Sequence, residues 1–592
     1  MITYNKITCK TLLLAFFFIS ITFASCKRDL LDLKPLDSVS DADVWNDPNL
    51  VQAFINRRYD QIGWGWTESW MSSVVDETYL IWSRGCEPIT RGFVNPNDLG
   101  RMNGGWYGGD NRNWKTIWDN IKDCNVFFQN IDQVPFTDEE LKNRFLGEIT
   151  FIRALMYFDL VSKYGGVPLV TVAYDLDNME EGAQLPRNDY ETCVAFIVNE
   201  CDKAASLLPA TFSGSDNGRA TSVAALALKS RMLLYAASPL MNEQVQDELV
   251  GYTTPSVDRW IRAADAAKAV IDLASANGYG LYDQYGDDVK TNYTEMFLDK
   301  SSREVLFSRQ NYGSPNNMHY IDQVNYPNGY GGWGGNVPIQ EFVDDFEVLQ
   351  EGQALPFNWN NPTLRSTPYA NRDPRLYAYV LYDGASWKDR TLETHFREQS
   401  GTNALAGGRD TRDGTEPWNT STSGYNMRKF INEGYVANSW NFVGRSAQNW
   451  IWFRLAEAYL NYAEAQYHAG NEGDARWGVN MIRNRARMPE ITASGTELLE
   501  KIRHERRIEL AFEEHRYFDI RRWMIAEDVM NRNATGVVII KKLDGTTEYR
   551  AHTGTPETVV EERSFVAPRM YWLPIPQYER DRNPNLQQNP GY

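Results

Sequence analysis

The chain has 592 residues, with 60 Lys and Arg against 78 Asp and Glu, a net charge of −18. That surplus of carboxylates argues against nucleic acid or an anionic lipid surface as the main partner. The length allows one large core or several modules.

Lys6 and Lys10 precede an apolar run from Leu12 to Phe23, interrupted only by Ser20 and Thr22, and the small pair Ala24-Ser25 stands directly before Cys26. This order predicts a secretory signal over residues 1–25. The run falls short of the roughly 20 apolar residues that a spanning helix needs. Phe23-Ala24-Ser25-Cys26 reads as a bacterial lipobox, in which the Cys26 thiol is acylated and becomes the mature N-terminus, although Phe23 stands where Leu is more usual. The blander alternative is an ordinary signal peptide with a cysteine beside its cleavage site. Residues 26–45 then form a polar tether, beginning with the basic pair Lys27-Arg28. Acyl chains contribute about 0.8 kcal/mol per buried CH₂, so a multiply acylated cysteine holds firmly. No later stretch reads as a membrane span. Without residues 1–25 the charge is near −20, from 58 basic and 78 acidic groups.

Residues 46–277 read as a helical region. Asn113–Ile131, Leu141–Tyr164, Tyr190–Leu208, Thr221–Ser238 and Asp258–Ala276 repeat apolar residues at spacings of three and four, the period of an amphipathic helix. Gly165-Gly166 and Pro168 supply a stop signal after the second of them. Residues 278–449 are loop-rich, with short extended candidates at 305–307 and 377–381. Helical spacing resumes at 450–469, 474–487 and 496–525, and strands are expected near 536–542. Residues 450–592 thus complete the helical body. Paired helices with Ala456, Ala458, Ala463 and Ala465 at their contacts suggest tetratricopeptide-like packing, without a clean 34-residue period.

Cys193 and Cys201 lie eight apart in a helical stretch, about 12 Å of rise, and cannot bridge without a break. No CxxC occurs, so Cys86, Cys124, Cys193 and Cys201 are expected as buried free thiols. HExxH, GxSxG, P-loop and EF-hand patterns are absent, and no cofactor or metal is expected. Gly329, Gly331 and Gly334 satisfy GxGxxG, but Pro327 precedes them where a dinucleotide site needs a strand.

Five stretches carry a family resemblance. They are Phe151-Ile152-Arg153-Ala154-Leu155-Met156-Tyr157-Phe158-Asp159-Leu160 with Tyr164-Gly165-Gly166-Val167-Pro168; Arg454-Leu455-Ala456-Glu457-Ala458-Tyr459-Leu460-Asn461-Tyr462-Ala463-Glu464-Ala465; Asn480-Met481-Ile482-Arg483-Asn484-Arg485-Ala486-Arg487; Glu505-Arg506-Arg507-Ile508-Glu509-Leu510-Ala511-Phe512-Glu513-Glu514-His515-Arg516 with Arg521-Arg522-Trp523; and Leu573-Pro574-Ile575-Pro576 with the closing Gln588-Asn589-Pro590-Gly591-Tyr592. In order and spacing the chain resembles the SusD/RagB family of surface lipoproteins. The resemblance implies a mainly α fold, a tetratricopeptide-like helical-repeat body with an inserted loop-rich, partly β region. It also implies a role without catalysis: capture of oligo- or polysaccharide at the outer membrane and delivery to a partner SusC-like TonB-dependent transporter. A surface receptor for peptides or another nutrient, and a lipid-anchored glycosidase or lyase, are the competing readings.

Buried charge needs a partner, so Arg153, Glu457, Glu464, Arg483, Arg485, Glu505, Arg506, Arg507 and Glu509 are expected to form Arg–carboxylate pairs between helices. Sugars present apolar ring faces and hydroxyl edges, which proteins meet with flat aromatics and a polar rim. Two stretches have that character: 64–107, with Trp64, Trp66, Trp70, Trp82, Trp106 and Tyr107 among Asp76, Glu77, Arg84 and Arg91, and 325–336, with Tyr326, Tyr330 and Trp333 between glycines. Trp82, Trp106, Tyr330 and Trp333 are the candidate ligand platforms, whereas Trp70, Trp114 and Trp118 are expected in the core.

Overall fold

The computed structural model describes residues 41–592 except 83, 104–111, 176, 244, 246, 312–318, 403 and 438–445. The lipobox at Cys26 and the candidate Trp106 lie outside the described residues.

Helices α1 (Pro48–Gln61), α2 (Trp114–Asn130), α3 (Glu139–Tyr164), α4 (Tyr190–Leu207) and α5 (Ser222–Ala237) each begin at a capping residue whose side chain accepts from a first-turn N–H: Asp47, Asn113, Asp138, Asp189 and Thr221. Helix α3 is buried over most of its circumference and ends at Gly165, whose φ of 78° and close approach to the Leu249 carbonyl leave no room for a side chain. Helices α6 (Asp258–Ala276), α7 (Leu455–His468), α8 (Glu472–Arg485), α9 (Gly495–Glu509) and α10 (His515–Arg522) complete the set.

From α2 to α8 each helix packs on the next in sequence, the stacking of a tetratricopeptide-like body, and α9 packs on both α7 and α8. The α6–α7 contact joins helices separated by the whole segment 277–454. Small side chains allow these approaches. Ala263, Ala264, Ala267 and Ala274 on α6 and Ala456 and Ala463 on α7 are buried, and a Cβ on Gly478 of α8 would lie 3.2 Å from Ala463 Cβ. Cys86, Cys124, Cys193 and Cys201 are buried free thiols. Among the described residues no helix is long and apolar enough to cross a membrane.

Three local expectations are corrected. Residues 450–454 form a strand instead of the start of a helix, pairing antiparallel with Val305–Arg309; Trp450 stands opposite Arg309 and Arg454 opposite Val305. The run Trp-Ile-Trp-Phe is as apolar as a helix face, and only a partner strand distinguishes the two. Of the extended segment expected at 377–381, only Val380–Leu381 is a strand; residues 377–379 belong to the helix Pro374–Tyr379, because Asp373 caps the turn and Pro374 fixes its first residue. The expected 496–525 helix breaks at 510–514, where Phe512 and Glu514 have φ of 66° and 69°. This break is held by tertiary contacts: Phe512 N donates to Glu77 Oε1 at 3.2 Å, and Glu514 pairs with Arg112.

Segment 278–449 carries short helices and strands, and a four-stranded sheet joins Leu405–Gly407, Phe396–Glu398, Val537–Lys541 and Thr547–Ala551 in that order. It is locked to the helical body by charge. Glu509 accepts from Arg454 Nη1 at 2.6 Å, from Arg485, from Arg375 Nη1 at 3.1 Å and from the Tyr293 hydroxyl at 2.6 Å. Glu304 joins Arg454 and Arg485, Glu505 joins Arg375 and Arg483, and Glu513 joins Arg454 and Lys429. With Asp373–Arg375 and Glu347 between Arg483 and Lys501, six carboxylates face six cations. Burial opposes ionisation of Glu509, yet Arg485, Arg454 and Arg375 hold its pKa well below the carboxylate range.

Every family charge named above finds a partner. Arg153 meets Glu200, Arg231 meets Glu457, Arg522 meets Glu464, Arg506 meets Asp519, and Arg507 meets Asp76 and Asp345. Glu464 receives both Arg522 terminal nitrogens and Trp523 Nε1 at 2.6 Å each. Burial alone would raise its pKa, but Arg522 overrides it and brings it to about 2. A carboxylate with a depressed folded pKa stabilises the fold above its unfolded value, near 4.5, and loses that contribution as pH falls toward 2. Glu464→Gln is therefore expected to cost about 3 kcal/mol at pH 7, with the difference from the parent shrinking between pH 4.5 and 2. Chemical unfolding across that range tests it, and a pH-independent difference would contradict it.

Candidate functional site

The site begins with one buried amide. Asn336 Oδ1 accepts from Trp70 N at 3.0 Å and Ser73 Oγ at 2.9 Å, while its Nδ2 donates to Glu68 O at 2.9 Å and Asn325 Oδ1 at 3.0 Å. A buried side chain with its capacity so used fixes the segments it joins. From that point Thr78–Leu80 pairs antiparallel with Asn336–Pro338, and Ile81 N extends the ladder to Gly335 O at 3.1 Å. The register carries Trp82 to Trp333. Their ring centroids are 6.1 Å apart at 82°, an edge-to-face pair, and both rings are half-buried.

Glycine makes the approach possible. A Cβ on Gly335 would lie 2.9 Å from the Trp82 ring, and one on Gly334, which has φ of 50°, would lie 2.6 Å from Asn419 O. The turn is tied down by Trp333 N donating to Gln323 O and Gly335 N donating to Val324 O.

Tyr330 is half-buried on the turn Asn328–Tyr330. Its hydroxyl donates to Trp387 O at 2.5 Å, and the Arg390 guanidinium lies 4.2 Å from its ring centroid. Arg390 is itself forked onto buried Asp410 at 2.7 and 2.9 Å. Burial raises the Tyr330 pKa against the opposing pull of Arg390. One face of Tyr330 is thus taken by the protein, leaving the ring as a wall with a charged, hydrogen-bonding edge.

Other aromatic and acidic residues of the two stretches, and the tryptophans expected in the core, have different places. Trp66, Trp70 and Trp114 are buried, and half-buried Trp118 stands edge-on to Tyr157. Trp64 has Arg309 over its ring at 3.8 Å. Tyr326, one of the three aromatics set between glycines, is fully buried and is no platform, because Gly332 packs flat against its Cβ and its hydroxyl reaches Tyr435 O at 3.1 Å. Asp76 and Glu77 are buried too. Asp76 is forked by Arg516 and paired with Arg507 instead of standing on a ligand rim.

Sequence reasoning passed over Trp418, which is 56% exposed on the turn Pro417–Asn419. Its signal was present: a tryptophan after proline in a stretch rich in Gly, Thr, Ser and Asp. Among the described residues no group of His, Cys, Asp and Glu has the arrangement of a metal site. The geometry supplies flat apolar faces with fixed amide and guanidinium neighbours, a surface suited to stacking on a ring and hydrogen bonding at its edge.

Comparison with known proteins identifies the family of the chain. A family model described as the SusD family matches residues 296–592, and one described as starch-binding associating with outer membrane matches 94–234. The chain is 25% identical over 489 residues to SusD-like protein P25 of Formosa agariphila, covering 80% of this chain and 77% of that protein. The crystal structure of a SusD-like protein from Bacteroides fragilis superposes with a TM-score of 0.75 at 28% identity, covering 94% of this chain and all of that one. A SusD-like carbohydrate binding protein from the same species gives 0.72 at 22% identity, over 92% and all of the respective chains. With more than half its length matched by the family model and its helical body superposing on these structures, this chain belongs to the SusD family.

Proposed function

We propose that this protein is a glycan receptor at the outer membrane, tethered through an acylated Cys26, that captures oligo- or polysaccharide without turning it over. It passes the captured glycan to a partner SusC-like TonB-dependent transporter. Residues 1–25 serve as the export signal and 26–45 as the tether to the helical body.

The observation that carries this reading is the half-buried Trp82–Trp333 pair, set edge-to-face on a rigid strand pairing. Tryptophans in the core bury both faces; this pair keeps part of its surface at solvent, where a sugar ring can stack on it. Tyr330 with Arg390 and Asp410 adds a polar edge. The carbohydrate binding described for the Bacteroides fragilis relative supports the same ligand class. Trp106 is proposed as a further platform from its Gly-rich setting in the sequence.

Isothermal titration against a polysaccharide panel tests the site. Trp82→Ala and Trp333→Ala are each expected to weaken binding by about tenfold or more while the circular dichroism spectrum stays unchanged, because each removes one ring face. Parent-like affinity in both variants would remove the site assignment, and release of shorter oligosaccharides on long incubation would reverse the non-enzymatic reading. Cys26→Ser is expected to abolish palmitate labelling and shift the protein from the membrane to the soluble fraction; retained labelling would place the acyl chain elsewhere.

A further inference from the structure

Ile81, the chain neighbour of Trp82, forms part of the wall of a cleft of about 580 Å³. Its floor is one face of the four-stranded sheet. Val537–Lys541 runs parallel to Phe396–Glu398 with Ile540 opposite Phe396, and Val538 shares the face of Ile540. Ile539, between them, is fully buried on the other side. Above this apolar floor stands Trp418.

Trp418 is exposed on a loop that is firmly held. Buried Asn328 donates from Nδ2 to Thr411 O at 3.0 Å, Glu416 O at 3.4 Å and Thr420 Oγ1 at 3.2 Å, joining both ends of the loop to the turn that bears Tyr330. Asn419 is fully buried, with its carbonyl against Gly334, next in chain to Trp333. A tryptophan more than half exposed on fixed backbone, facing a cavity of ligand size, has the form of a preorganised platform.

One cation of the cleft wall stands outside the ion pairs of the described residues. Arg390 and Arg550 are neutralised by Asp410 and by Glu548 with Glu557. Arg412 lies over the Phe396 ring at 5.3 Å, is exposed, and forms no ion pair among the described residues. In a chain with 18 more acidic than basic groups, a cation left without a carboxylate beside an apolar cleft is poised for an anionic oxygen from outside.

We propose that this cleft is a second saccharide subsite specific for an acidic residue, a sugar bearing a carboxylate or a sulfate ester. Its ring stacks on Trp418 above the Phe396–Val538–Ile540 floor, and its anionic group binds the Arg412 fork. The inference rests on the glycan-receptor reading for the word saccharide and adds to it a charge class and a second point of attachment.

Full-length protein in detergent, titrated calorimetrically with polygalacturonate, ι-carrageenan and neutral laminarin, tests it. At least one acidic polymer is expected to bind, with affinity reduced by high salt. Arg412→Ala is expected to weaken that binding by about tenfold and to leave laminarin unaffected, the polymer that responds naming carboxylate or sulfate. Trp418→Ala is expected to weaken it too. Both side chains are exposed, so neither variant endangers the fold. Failure of both acidic polymers to bind, or binding unchanged in both variants, overturns the proposal. Binding lost in Trp82→Ala but intact in Arg412→Ala and Trp418→Ala ends this proposal and keeps the receptor. Binding of no saccharide at all ends both.

Discussion

Glu509 is a carboxylate without exposure, enclosed by the guanidiniums of Arg454, Arg485 and Arg375 and by a tyrosine hydroxyl. The partners come from distant parts of the chain: Arg485 from α8, Arg454 from the end of the strand that leads into α7, and Arg375 and Tyr293 from the segment between α6 and that strand. Removing any one of the guanidiniums strands charge in a medium that cannot solvate it, which is far costlier than the pair is worth when complete. The network therefore contributes less to net stability than to specification. It admits one relative placement of the helical body and the loop-rich segment, and penalises alternatives in which a single group is unpaired.

The aromatic site inherits its geometry from that placement. Asp76 is held by Arg507 and Arg516, two residues before Thr78, and Glu77 accepts from Phe512 N in the break between α9 and α10. The same charged helices that fix the loop-rich segment thus fix the strand leading to Trp82. Asn336 completes the registration from the other side, and Trp82 and Trp333 meet because both of their strands are anchored. The surface that would touch a ligand carries little of the stability; the charge network behind it carries the positioning.

Ligand capture by such a surface depends on rigidity more than on strong individual contacts. Stacking a ring on an aromatic face yields on the order of 1 kcal/mol beyond the area buried, so several weak contacts must be presented together without an ordering penalty. Gly334 and Gly335 bring the backbone in tightly enough to fix Trp333 beside Trp82, and Asn328 ties the Trp418 loop to the turn carrying Tyr330. Four aromatic side chains from three distant stretches are in this way held on one interconnected set of turns.

The sequence by itself determined the helices α2 to α6 almost to the residue, since apolar spacing and capping residues are local properties. It also determined which charges are paired, because Arg and Glu on apolar helix faces must find each other. It could not say with which partner: Arg231, Glu304 and Arg375 lie far from the motif residues they neutralise, and no local pattern marks them. Strand 450–454 and the break at 510–514 were equally illegible, because a partner strand and the contacts of Glu77 and Arg112 decide them. For the site, composition singled out Trp82, Tyr330 and Trp333, but only tertiary structure joined the first to the third. It also laid Arg390 over Tyr330, buried Tyr326 under Gly332 and left Trp418 standing in a cleft. Exposure of an aromatic ring is set by what the rest of the chain packs against it, a non-local quantity that residue type and spacing do not encode.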